Sequence, residues 1–186
     1  MSLPQLRELI QPPGKPQETG TPKKWEKFER RLGTPLPPDY KDFIDFYGTG
    51  TFNNLILPLN PFAENEYLNM MATLDAHHQA NRRTQLAGDP AWTVVQPFGL
   101  YPAPNGLLPW GTTAAFELNL FWQVQGPPAN WVTILYNLGT GEYEVWKLSA
   151  TAFLSQLFLQ QIESVLLPTG YNVGAEHSQW CQLENF

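Results

Sequence analysis

Two hydrophobic periods divide the chain. In its first fifty residues, apolar side chains recur at helical spacing. Trp25, Phe28 and Leu32 stand at i, i+3 and i+7 and predict a helix over Pro22–Leu32. Thr21 suits its N-cap, Pro22 its first turn, and Gly33 the left-handed position after its last turn. Lys23, Lys27, Arg30 and Arg31 fall on the other side, with Glu26 and Arg30 at the i, i+4 spacing of a solvated face. Tyr40, Phe43, Ile44 and Tyr47 repeat the pattern and predict a second helix, opened by Pro38 and broken by Gly48 and Gly50. Residues 1–21 hold one apolar turn (Leu3, Leu6, Leu9, Ile10), then a Pro/Gly-rich connector that reads as a loop.

From Trp92 onward the period is two. Phe116, Leu118, Leu120, Trp122 and Val124 alternate with Glu117, Asn119, Phe121 and Gln123, and Val132, Ile134, Tyr136 and Leu138 form a second row. Gly139–Gly141 joins that row to Glu142–Leu148 as a hairpin. Between the two regimes lie a short strand candidate, Asn54–Leu59, and a polar, moderately helical stretch, Asn65–Leu86. Ser149 suits the cap of a last helix, in which Leu154, Leu157, Phe158, Gln161, Ile162 and Val165 keep helical spacing until Pro168 and Gly170. This order predicts the α+β class. A single domain is expected, with an antiparallel or mixed sheet of about five to six strands, packed by the N-terminal helices and a C-terminal helix on one side. Residues 22–167 form that domain, 1–21 an N-terminal extension and 168–186 a polar tail.

Composition adds exclusions. Aromatic residues make up 13% of the 186 and charged residues 15%, a mixture that excludes a disordered chain. No run approaches the ~20 apolar residues of a membrane span. The first residues lack the apolar stretch of a secretory signal, so a cytoplasmic location is expected. A single cysteine, Cys181, excludes a disulfide framework. The net charge of −6 is uneven: +1 over residues 1–50 and −5 over residues 90–186, where Lys147 is the one base and six of the seven tryptophans lie. Such a half binds phosphate backbones poorly but suits a basic protein partner, so neither a nucleic acid nor a membrane is an expected partner.

The search for chemistry returns little. His77 and His78 point about 100° apart on a helix and cannot chelate one metal through one face, so a solvated helix face is expected there. His177 and Cys181 stand at i, i+4 beside Glu176, a nucleophile–base geometry only within a buried helix, and a loose segment is expected instead. The glycines of Tyr47–Phe52 lack phosphate-loop spacing and its lysine. Asp39, Asp42 and Asp45 line one helix face, and Glu142 and Glu144 one face of a strand. Each set reads either as solvated surface or, with Glu117, as an acidic patch for a basic partner. No catalytic residue, metal ligand or cofactor is expected.

The order and spacing of several motifs resemble a known family. Trp25, Glu29, Leu32-Gly33, Leu36-Pro37-Pro38-Asp39-Tyr40, Phe43 and Tyr47-Gly48-x-Gly50-x-Phe52 look like the opening signature of the SUKH superfamily. Leu107-Leu108-Pro109-Trp110-Gly111-Thr112, Leu120-Phe121-Trp122, Trp131 and Phe153-Leu154 resemble its bacterial Smi/Knr-type members. Thr113-Ala114-Ala115-Phe116 departs from the polar, glycine-containing turn usual after the Pro-Trp-Gly-Thr run. The resemblance, over roughly residues 22–160, implies an α+β fold, no enzymatic activity, and protein binding. Its recurring residues are implied to be structural: Trp25, Pro37, Tyr40, Tyr47, Trp110, Gly111 and Trp122 as framework, Gly33 and Gly48 as helix stops. Bacterial members are typically immunity proteins that neutralise a cognate toxin domain, often a nuclease. The expected function is therefore an immunity protein that occludes a toxin. The alternatives are a regulatory Smi/Knr-type module without a toxin and, more remotely, a small-ligand protein or enzyme with Trp110 and Trp122 around a cavity at His77 or Glu117.

Overall fold

Helix α1 (Ser2–Leu9) is followed by α2 (Pro22–Leu32) and α3 (Pro38–Tyr47), and local chemistry sets the last two where the periodicity predicts them. The computed structural model describes residues 2–86, 95–115, 117–168 and 178–183. Thr21 accepts the Lys24 N–H through its side chain, and Gly33, at φ 88°, closes α2. The Glu29 carboxylate then accepts the Leu36 N–H at 3.0 Å and the Lys41 ammonium at 2.9 Å, fixing the turn into α3. Gly48, at φ 69°, ends α3. A Cβ there would lie 2.1 Å from the Gln17 carbonyl oxygen, so only glycine lets the connector cross at this point.

The strands are β1 (Gly50–Phe52), β2 (Ile56–Pro58), β3 (Leu107–Thr113), β4 (Leu118–Gln123), β5 (Val132–Asn137), β6 (Tyr143–Trp146) and β7 (Trp180–Gln182). They form one antiparallel sheet in the order β6-β5-β4-β3-β2-β1-β7. Among the described residues the sheet has seven strands, more than the expected five to six. The stretch read as one strand candidate lies beside a second strand, β1, and the segment read as a polar tail supplies β7. Phe116, Trp92 and the His177 of the proposed His–Cys pair lie outside the described residues.

Both faces of the central strands are buried. Trp110, Leu120, Trp122 and Leu135 face α1, α3 and helix α5 (Ala150–Phe158), in the main core. The alternate residues Leu107, Phe121, Ile134 and Tyr136 make a second, smaller core with Val95 and Leu100. Helix α4 (Met70–Leu86) runs beside β3 and sets His77 against Phe121 on this second face.

Two further differences concern the chain ends. Residues 2–10 stand outside the resemblance, yet Leu3, Leu6 and Ile10 are buried in the main core, and Tyr47 donates its hydroxyl to the Ile10 carbonyl at 2.5 Å. The last helix stops at Phe158 rather than running on through Val165. Gln160 adopts φ 55°, Val165 is exposed, and the Glu144 carboxylate takes the Val165 and Leu166 N–H groups. A carboxylate on a strand thus catches backbone donors that a continued helix would have satisfied itself.

Candidate functional site

The recurring aromatic residues assemble into a framework. The Tyr40 hydroxyl lies 2.7 Å from the Trp110 carbonyl and 2.9 Å from that of Leu59, and its ring packs edge-on against Trp110 and Trp122. Burial pushes its pKa well up, so the phenol stays protonated and donates. Pro109 pairs with Phe121 and Gly111 with Leu120, which leaves Trp110 as the extra residue of a β-bulge, turned into the core. Gly111 makes room: a Cβ there would sit 3.0 Å from Leu120. Pro37, also buried, precedes α3. Trp110 and Trp122 therefore build the core and line no cavity at His77 or Glu117.

The structure divides the acidic candidates. Asp45 accepts the Trp25 indole N–H at 3.2 Å and the Gly20 N–H at 2.9 Å, and Asp39 accepts the Thr151 hydroxyl, so both tie elements together. Asp42 is exposed. Asp45→Ala is expected to cost about 1–2 kcal/mol, because two donors lose a charged acceptor, and Asp42→Ala under about 0.5 kcal/mol. Urea midpoints of the two variants check this. Glu144 lies on the helix-covered face, bonded to the Trp146 indole N–H and to the segment after α5. Glu117 and Glu142 are exposed on turns at one end of the sheet, linked through the hairpin by the Leu138 N–H to the Glu117 carbonyl. Beside them on β6, Tyr143 and Val145 are exposed on the second face. No described tryptophan is fully exposed; Trp146 and Trp180 are half-buried.

His77 corrects an expectation. It is buried, not solvated, with Met70 and Leu74 on the same stripe of α4. Those three positions at i, i+4 and i+7 were the available signal, obscured because a histidine occupied the third. Burial, and secondarily the neighbouring His78, hold its pKa down at about 4, while a hydrogen bond with Asn119 works the other way. Its Nε2 has no hydrogen-bond partner. His77 also lines a cavity of about 340 Å³ between α4 and the sheet, with Glu66, Tyr67, Thr73, Thr112 and Asn119. Across Tyr67 lies a second cavity of about 270 Å³, lined by Thr51, Leu57 and Leu183 among others.

The depressed pKa sets a pH dependence. Protonation favours the unfolded chain, where the ring titrates near 6.5, so the stability is fully present above that value. It is lost as pH falls from about 6.5 through about 4, by about 3 kcal/mol in all. His77→Phe is expected to flatten this part of the profile, measured as urea midpoints at pH 7 and pH 4.5.

Among the described residues, no group of three or more His, Cys, Asp or Glu is placed to hold a metal ion, and no helix is long and apolar enough to cross a membrane. What the geometry defines is an α+β domain: an open antiparallel sheet backed by helices, with its signature aromatics spent on the framework and the exposed Glu117 and Glu142 just outside the strands at one end of the sheet. The chain belongs to the SUKH family, whose model, described as SMI1-KNR4 cell-wall, matches residues 22–154. No curated protein and no solved structure matches it.

Proposed function

We propose that this protein is a non-catalytic binding module, an immunity protein that neutralises a cognate basic toxin domain of a polymorphic toxin system by covering its active surface. The observation that carries the reading is the placing of Glu117 and Glu142 on adjoining turns beside exposed Tyr143 and Val145. Acidic groups bordering aromatic and aliphatic surface suit a basic, partly apolar partner, since charge complementarity sets on-rate and aromatic anchors set affinity. Family membership and the resemblance to bacterial immunity members support the same reading. The family description, with its reference to the cell wall, favours a second one: a regulatory module with no toxin.

The test is co-expression with a toxin domain encoded beside this chain. Expected are protection of the host, a nanomolar complex, and association that slows as salt rises. Glu117→Lys combined with Glu142→Lys is expected to slow association further, with dissociation little changed. Protection that survives abolition of the complex would sink the proposal.

A further inference from the structure

The cavity beside α4 has a chemistry of its own. Its volume of about 340 Å³ sits at the lower end of the ~300–1,000 Å³ range of ligand sites, ample for one long side chain. Ala72, Ala76 and Leu138 give it apolar walls. Glu66, Thr112 and Asn119 give it acceptor oxygens, and the described lining residues include no lysine or arginine. His77 adds a buried nitrogen, Nε2, with no partner, whereas nearly all buried polar atoms in folded proteins have one. In a neutral imidazole one nitrogen carries the proton and the other is an acceptor; with an N–H donated to Asn119, Nε2 is the acceptor.

We propose that this cavity receives a guanidinium, the side chain of an arginine presented by the protein partner; the assignment of the source rests on the binding function proposed above. An arginine matches it along its length. The methylene stem lies against Ala72, Ala76 and Leu138, while the planar fork has enough N–H donors to serve the Glu66 carboxylate and the His77 nitrogen together. The ring of Tyr67, which is 64% exposed at the cavity wall, offers a π face to the cation. A lysine ammonium, a point charge, would reach one of these groups at a time. The acidic balance of the sheet-bearing half acts in the same direction.

The probe is N-acetyl-arginine methylamide, titrated at millimolar concentration into the isotope-labelled protein, with its uncharged citrulline analogue as control. Saturable shifts of the His77 ring and the Thr112 and Asn119 amides are expected, at least about fivefold weaker with the citrulline analogue. Glu66→Gln, at an exposed position that leaves the fold intact, is expected to weaken uptake by a similar factor, and His77→Phe to abolish it. No saturable shift, equal uptake of the citrulline analogue, or uptake unaffected by Glu66→Gln overturns the site. A toxin complex of unchanged affinity in both variants overturns the cavity as the partner's seat and leaves the immunity reading standing. Selective arginine uptake without any toxin complex does the reverse: the site stands and the immunity reading falls.

Discussion

Removing residues 2–10 is expected to leave the remaining chain without a stable fold, although none of them lies within the family match. Leu3, Leu6 and Ile10 are buried against α3 and α5. Burying each contributes about 1.5–3 kcal/mol, so the three together contribute about 5–9 kcal/mol. A domain's whole stability is about 5–15 kcal/mol. The Tyr47 hydroxyl would also lose its acceptor at Ile10 while its ring stayed among Phe43, Phe52 and Trp180. Loss of near-ultraviolet circular dichroism and of amide dispersion is the expected readout. Val165→Ser, at a position 89% exposed, serves as the control and is expected to leave both unchanged.

Trp122→Ala is the point substitution with the largest expected cost, about 3–5 kcal/mol. Trp122 is fully buried, with ring contacts to Tyr40, Trp110 and Trp131, all large side chains that are themselves buried. Trp122→Phe separates volume from hydrogen bonding. The Trp122 indole N–H has no partner, so phenylalanine removes an unsatisfied donor as well as some volume, and a loss of less than half the alanine cost is expected. Trp131 provides the contrast, because its indole N–H donates to the Gly126 carbonyl at 3.1 Å, a bond that its Phe variant removes. Denaturant midpoints of the four variants (both Trp122 changes, Trp131→Phe and Trp131→Ala) discriminate these cases.

Where periodicity and capping agreed, the fold was legible in the residues. Helix α2 carries its cap, its apolar stripe and its terminal glycine in one unbroken stretch from Thr21 to Gly33, and the β5–β6 hairpin carries its glycine turn. The second face of the sheet was harder to read. Alternation implies one buried and one wetted row, but Phe121, Ile134 and Tyr136 are as buried as their neighbours because the segment from Val95 to Leu107 covers them. Strand β7 gave no signal either: three residues pair with β1 only because the fold brings them there. The candidate site divides the same way. Glu117 and Glu142 are legible as acidic groups but read as strand residues, and the structure sets both just outside β4 and β6; the cavity at His77 joins α4 to β3 and β4, a tertiary juxtaposition with no local sign. Asp45 and Glu144 looked like surface charge because no local pattern announces that a distant indole or backbone N–H will come to them.

The pairing of β1 with β7 also has a consequence for how the chain is made. Asn53 and Ser178, which bond across that junction, are 125 residues apart in the sequence. At roughly 5–20 residues per second of synthesis, β1 leaves the ribosome roughly 6–25 s before its partner exists. Throughout that interval its outer N–H and C=O groups are open to a neighbouring nascent chain, and Phe43, Tyr47 and Phe52 wait uncovered by Trp180. Slow translation between residues 58 and 178 lengthens the exposure, so the yield of folded protein depends on elongation rate as well as on equilibrium stability.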